Sequence, residues 1–138
     1  MPNIHRAVSL LLAALLIAHL SSPAAAQASR KTLNQVSQLL LSAHKLLSEE
    51  KDTEAARAQC EKAQAIDAKA KDPFISATVD VCFGDVADYE ENTGEACKRY
   101  DEALKEFKAV PAKHSARRTL KTHMNVTEGK RITLGCES

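Results

Sequence analysis

Hydrophobic positions recur at helical spacing through most of the chain. Leu33, Val36, Leu40, Ala43 and Leu47 follow one another at steps of three and four residues. This spacing places them on one face of a helix. Comparable patterns continue further along, so we predict an all-α fold. The predicted helices run from Thr32 to about Glu50, from Asp52 or Thr53 to about Ala68, from Pro73 to about Glu91, from Thr93 to the residue before Pro111, and from Ser115 to about Glu128.

Polar residues mark the predicted helix starts. Thr32, with Gln35 three residues later, forms a capping box. Asp72 directly precedes Pro73, which tolerates the first helical position because its missing donor has no helical partner there. Thr93 and Ser115 are the predicted caps of the last two helices. We expect five helices joined by short turns.

The last ten residues combine a helix-breaking residue with an alternating pattern. Gly129 interrupts the helical pattern of the fifth helix, and the segment from Arg131 to Leu134 alternates polar and apolar residues. Such alternation fits a strand as well as a helix end. The tail after Gly129 is therefore either helical or extended.

The first 26 residues predict a secretory signal peptide. A basic start ending at Arg6 precedes an apolar run from Ala7 to Leu20, and Ala24 to Ala26 supply a small-residue cleavage site. The apolar run is too short for an ordinary transmembrane helix, so no stable membrane span is expected after cleavage. The mature chain then has a flexible leader at 27–31 and one helical domain at 32–138.

Four cysteines, Cys60, Cys82, Cys97 and Cys136, predict two disulfides in an exported protein. Cys60 and Cys82 lie at similar distances on either side of the turn at Asp72, so an antiparallel helix pair brings them together. The same argument about the turn that follows Pro111 pairs Cys97 with Cys136. No C-x-x-C motif is present, so we expect structural bridges and no metal site.

Charge is unevenly distributed in the mature chain. Residues 27–110 contain 12 bases and 16 acids, whereas residues 111–138 contain 6 bases and 2 acids. The basic run of Lys113, Arg117, Arg118 and Lys121 could bind nucleic acid or anionic lipid. Export makes nucleic acid an improbable partner, and we expect the run to cover the acidic body of its own chain.

The second and fourth helices repeat one pattern. Ala56, Cys60 and Ala63 recur 40 residues later as Ala96, Tyr100 and Ala103. The small, aromatic and small residues of the second copy resemble the second helix of the tetratricopeptide repeat, and Gly84 stands where that family keeps a small residue in its first helix. The period of 40 departs from the 34 of the family, and the likeness is stronger in the second unit.

This resemblance implies two tetratricopeptide-like antiparallel helix hairpins with a C-terminal capping helix, linked by the two disulfides. An alternative is a four- or five-helix bundle in which alanines recur without a repeat. In the family, the first helix of each hairpin lines a concave groove that binds an extended peptide or a partner helix. The positions implied here form a mixed-charge face anchored by a tyrosine, and they are Gln38, Lys45, Ser48, Thr78, Val81, Asp85, Asp88 and Tyr89.

No catalytic, phosphate-binding or cofactor motif occurs, so we expect neither an enzyme nor a cofactor. The resemblance predicts a periplasmic or secreted interaction or scaffold module that binds a protein or peptide partner in the cell envelope or outside it. Two other functions stay open: a secreted disulfide-linked helical-bundle inhibitor of an enzyme, and a passive envelope assembly protein.

Overall fold

The computed structural model describes residues 27–137, and the predicted signal peptide lies outside this range. All regular structure within the described range is helical, as predicted. None of the helices in this range is long and apolar enough to cross a bilayer. The helices are α1 (Arg30–Lys45), followed by a π-helical turn (Leu46–Glu50), α2 (Thr53–Ala70), α3 (Pro73–Tyr89), α4 (Thr93–Ala109) and α5 (Arg117–Leu134).

Three helix caps differ from the predicted ones. Ser29, not Thr32, caps α1, because its Oγ accepts a hydrogen bond from the Thr32 backbone N–H at 3.2 Å. The helix therefore begins at Arg30, inside the predicted leader. Asn92 caps α4 in place of Thr93, and α5 has no side-chain cap at all, so the Ser115 prediction is wrong.

The helices pack as an antiparallel series in which each helix contacts the next along the chain. The helix α3 is central: it also contacts α1, and residues on several of its sides are buried. Alternation along the series puts α1, α3 and α5 in the same direction, with their N-termini at one end of the molecule. The helices α2 and α4 run the opposite way.

The core has parts on both sides of α3. One cluster joins α1, α2 and α3 and includes Val36, Leu47 and Ile75. Another joins α3, α4 and α5 around Phe107 and Leu120. The small residues predicted for the buried faces of α2 and α4 are fully buried, which allows close helix approach: Ala56, Cys60, Ala63, Ala96 and Ala103.

Both predicted disulfides are confirmed. Cys60 of α2 pairs with Cys82 of α3, and Cys97 of α4 pairs with Cys136, just beyond α5. The bridges are 22 and 39 residues apart in sequence. The first bridge joins two neighbouring helices, and the second joins α4 to the residues directly after α5.

The helix α5 continues through Gly129 to Leu134, so the glycine does not break it and the tail is not extended. A glycine inside a helix costs only about 1 kcal/mol relative to alanine. Contacts after Gly129 offset that cost: Lys130 pairs with Asp85, Arg131 pairs with Asp101 at 2.5 Å, and Leu134 packs beside Tyr100.

Candidate groove between the first, third and fifth helices

The face of α3 that lies between α1 and α5 is open and forms a groove. Two cavities of about 570 and about 170 Å³ occupy it. Both are lined by Leu40, Thr78 and His123, so they are neighbouring parts of one groove. The helices α1 and α5 form its walls, and α3 forms its floor.

The groove is predominantly apolar, and two of its aliphatic side chains are open to solvent. Leu41 on the α1 wall is 66% exposed, and Val126 on the α5 wall is 53% exposed. Leu33 and Phe74 add further half-buried apolar surface. A large aliphatic side chain left in water loses the stabilisation that burial gives it, about 1.5 to 3 kcal/mol for Leu or Val. The groove therefore offers apolar surface that a partner could cover.

Three of the predicted binding residues on α3 do line the groove: Thr78, Val81 and Asp85. The carboxylate of Asp85 is already engaged, because it accepts a hydrogen bond from the Tyr100 hydroxyl at 2.7 Å and pairs with Lys130. The Thr78 hydroxyl donates to the Ile75 carbonyl at 2.9 Å. These polar groups of α3 are already engaged within the protein, and the lining residue whose charge has no ion pair within residues 27–137 is Arg30, at the start of α1.

None of the three binding residues predicted before α2 lines the groove. They are Gln38, Lys45 and Ser48, and the residue directly before each of them, Ser37, His44 or Leu47, is among the lining residues instead. Gln38 and Lys45 are exposed, and Lys45 lies 3.9 Å from Glu49. A shift of one residue turns a helix by about 100°, which moves a side chain from the groove to its outer edge.

Asp88 and Tyr89 lie beyond Asp85, the last residue of α3 that lines these cavities. Tyr89 is 42% exposed at the end of α3, and the Lys51 ammonium lies 5.0 Å from its ring centroid. The structure therefore does not bring Tyr89 together with Thr78, Val81 and Asp85 in these cavities. The open apolar surface is carried instead by Leu41 and Val126.

His123, on the α5 wall, belongs to an aromatic cluster with Phe74 of α3 and Phe107 of α4. Its ring meets Phe74 edge-on at 5.1 Å between centroids and lies 5.8 Å from Phe107. Burial lowers the pKa of His123, because desolvation disfavours the charged imidazolium. The neutral ring adds to the apolar character of the groove.

Asp72 and His114 fix the end of the groove where α3 and α5 begin. Asp72 is fully buried, and its Oδ2 lies 2.9 Å from His114 Nε2 and 2.6 Å from the Ala28 backbone nitrogen. The Ala116 N–H donates to His114 Nδ1, so Nε2 carries the proton and donates to Asp72. Since Ala116 lines the groove, this pair positions part of its α5 wall.

Burial alone would raise the pKa of Asp72, but hydrogen bonds from His114, Ala28 and Phe74 to its carboxylate outweigh burial and lower the pKa. The ionised carboxylate is therefore the form that the fold stabilises. Ala28, α3 and the loop before α5 all meet at this one side chain.

Sequence reasoning missed several groove residues, namely Leu41, Phe74, His123 and Val126. A signal for one of them was present. Leu39, Leu40 and Leu41 are consecutive, and three adjacent apolar residues cover more than one face of a helix. Leu39 and Leu40 pack against the α1–α2–α3 core, which leaves Leu41 on the open side.

In comparisons with known proteins, no protein-family model, no curated protein and no solved structure matches this chain. Within residues 27–137, no three His, Cys, Asp or Glu side chains come together as a possible metal site.

Proposed function

We propose that this chain is an exported interaction module whose groove binds one amphipathic helical segment of a partner protein in the periplasm or outside the cell. The observation that carries this proposal is the open apolar groove with Leu41 and Val126 exposed on opposite walls. The tetratricopeptide-like pattern of Ala96, Tyr100 and Ala103 points to the same kind of function.

The size and chemistry of the groove favour a helix as its occupant. The lining extends from Arg30 in α1 to Leu47 in the π-helical turn, a span of about 17 residue steps or roughly 26 Å at 1.5 Å per residue. A helix satisfies its own backbone hydrogen bonds, and the polar groups of Thr78 and Asp85 are already engaged. An apolar face of four or five helical turns would cover the exposed side chains of both walls.

Export rests on two features of the chain. Two disulfides are typical of proteins in oxidising compartments. The basic and apolar segment at residues 1–26 has the pattern of a signal peptide. Together they support a periplasmic or secreted location for the proposed binding.

Selection of helical peptides from a displayed random library on the oxidised protein would test this function. We expect enriched peptides to carry apolar residues at spacings of three and four. Replacing Leu41→Glu should weaken binding of a selected peptide at least about tenfold, because an apolar contact worth more than about 1.4 kcal/mol is lost. Fluorescence anisotropy of the labelled peptide measures this affinity.

Ile132→Glu is the matched control, because Ile132 is also an exposed aliphatic residue on a helix, 71% exposed on α5, but lies outside the lining of the groove. It should leave peptide affinity unchanged. Enriched peptides without an apolar face, or equal binding by wild type and Leu41→Glu, would contradict the proposal. Unchanged thermal unfolding of both variants would show that the fold is intact.

A further inference from the structure

Positive charge is concentrated at the end of the molecule where α1, α3 and α5 begin and α2 and α4 end. We call this surface the basic end and define it as residues 27–34, 65–76 and 105–121. It contains only three carboxylates, those of Asp67, Asp72 and Glu106. Its ten cationic side chains are Arg30, Lys31, Lys69, Lys71, Lys105, Lys108, Lys113, Arg117, Arg118 and Lys121.

The cationic side chains of the basic end form no ion pairs, unlike several of those elsewhere in the described chain. In the part of the chain from 27 to 137, none of these ten side chains lies within 4.0 Å of a carboxylate. Every Lys or Arg that does form a pair lies elsewhere, namely Lys45, Arg57, Arg99, Lys130 and Arg131. Lys113, Arg117, Arg118 and Lys121 were expected to cover the acidic body, but none of them forms an ion pair with it in the described residues, and all four side chains are exposed.

Contacts across the basic end show that its segments are held together. The buried pair of Asp72 and His114 joins the start of α3 to the loop before α5. Ala28, just before α1, is bonded to the same Asp72 carboxylate. The Arg117 guanidinium donates to the Val110 carbonyl at 3.4 Å, across the turn between α4 and α5. Charges that are far apart in sequence thus lie on one end of the molecule.

We propose that the basic end adsorbs the protein to an anionic phospholipid surface, a function distinct from peptide binding although the groove opens onto this end. Four to eight Lys or Arg residues near a bilayer are enough for electrostatic attraction to acidic headgroups. Within the described residues, the basic end has no exposed large hydrophobic side chain. Those that are exposed lie elsewhere, namely Leu41, Tyr89, Val126 and Ile132. Adsorption is therefore electrostatic, without insertion into the bilayer, and reversible by salt.

A lipid surface fits this arrangement better than a folded acidic protein does. Long, flexible Lys and Arg side chains without fixed partners can follow mobile headgroups, whereas a specific protein interface orients its charges in defined pairs. Only Arg117, Arg118 and Lys121 belong to α5, and the other cations come from the remaining segments, so the charge covers a broad end rather than a pocket. A broad, diffuse distribution suits a planar array of negative charges.

Vesicle co-sedimentation tests the proposal. The oxidised protein is mixed with phosphatidylcholine vesicles containing about 30% phosphatidylglycerol, and separately with pure phosphatidylcholine vesicles. We expect binding only to the anionic vesicles, with release as NaCl rises from about 50 to about 500 mM. The triple variant Lys113→Gln, Arg118→Gln, Lys121→Gln should bind at least about tenfold more weakly.

The control triple variant is Lys45→Gln, Lys62→Gln, Lys98→Gln, which removes the same charge from exposed positions outside the basic end. It should retain vesicle binding within about twofold if location, and not net charge, decides adsorption. Absence of binding to anionic vesicles, or equal loss in both triple variants, would overturn the proposal. Binding to a DNA duplex without vesicle binding would also overturn it. Peptide binding by the groove is measured separately, so the two proposals can fail independently.

Discussion

The ring of Tyr100 lies directly against the backbone of Gly84. A Cβ atom built on Gly84 would be 2.5 Å from Cε1 and 2.8 Å from Cδ1 of this ring. Tyr100 is fully buried, and its hydroxyl donates to Asp85 at 2.7 Å. The contact with Gly84 and this hydrogen bond together fix the position of the side chain. The glycine therefore sets how closely α3 and α4 approach.

Replacing Gly84→Ala should destabilise the protein. The new methyl group would overlap the Tyr100 ring, and overpacking of a core typically costs about 1 to 3 kcal/mol, more than the roughly 1 kcal/mol that alanine gains as a helix former. We expect a net loss of up to about 2 kcal/mol in the free energy of unfolding. Urea denaturation followed by circular dichroism measures it.

Gly129→Ala is the matched control, because Gly129 is also helical but has no atom within 4 Å of the position that a Cβ would occupy. This substitution should stabilise the protein by up to about 1 kcal/mol. If both glycine variants changed stability in the same direction, the close approach of Tyr100 to Gly84 would not be the cause.

Tyr100 should make the fold sensitive to alkaline pH. Burial, followed by the charge of Asp85 and the hydrogen bond to it, raises the pKa of Tyr100 above its ordinary value. The folded protein keeps this phenol protonated, whereas the unfolded chain releases the proton near pH 10. Its contribution to stability is therefore complete below about pH 10 and is lost as the pH rises toward the folded-state pKa.

Urea denaturation between about pH 9 and pH 11.5 checks this, with a loss of up to about 1.4 kcal/mol per pH unit assigned to one phenol. Tyr100→Phe provides the comparison, since it keeps the ring and removes the proton. Its stability should fall less steeply than that of the wild type over this interval. Parallel pH profiles for the two proteins would refute the assignment.

Asp72 should contribute more to stability than an ordinary helix cap. Its carboxylate accepts hydrogen bonds from Phe74, Ile75, Ala28 and His114. Asp72→Ala would leave several buried donors without partners, so we expect a loss of about 3 to 5 kcal/mol. Asp52→Ala removes an exposed cap with one N–H bond and should cost about 1 kcal/mol.

Asp72 should also make the stability of the fold depend on pH in the acid range. The pKa of Asp72 is lowered in the folded protein, so folding is favoured by its ionised form. Its contribution is complete above the unfolded value near pH 3.9 and is lost as the pH falls through the lower folded-state pKa. Denaturation of wild type and Asp72→Asn from about pH 5 to pH 2 should show a smaller acid loss in the variant; equal losses would count against this role.

The helices and disulfides were predictable because they depend on local patterns. Hydrophobic spacing located five helices, and antiparallel neighbours made the pairing of Cys60 with Cys82 a matter of counting from one turn. The continuation of α5 past Gly129 was not predictable in this way. It depends on Lys130 and Arg131, whose partners on α3 and α4 are distant in sequence.

The family resemblance predicted only part of the groove lining. The resemblance located Thr78 and Val81 on α3, but it was one residue out of register on α1, where Ser37 and His44 line the groove. In a degenerate repeat, no residue of the pattern fixes which positions of the helix align with the groove positions of the family. The sequence also did not predict the hydrogen bond between Asp72 and His114, because the loop before α5 has no helical pattern that would place the histidine.

The two disulfides should differ in their resistance to reduction. Cys60 is fully buried and Cys82 is 6% exposed, whereas Cys97 and Cys136 are both half-buried near the end of α5. Thiolate attack requires access to a sulfur atom. Under mild dithiothreitol without denaturant, we therefore expect the bridge between Cys97 and Cys136 to open first, as detected by iodoacetamide labelling and peptide mass spectrometry.

Removing either bridge should also destabilise the fold by about 3 to 4 kcal/mol, because loops of 22 and 39 residues lose similar conformational entropy when closed. The double variant Cys97→Ala, Cys136→Ala should in addition loosen the last turns of α5, which hydrogen exchange at residues after Gly129 can detect. The double variant Cys60→Ala, Cys82→Ala is its control and should leave exchange in those turns protected. Labelling of Cys60 and Cys82 before Cys97 and Cys136 would contradict the order that burial predicts.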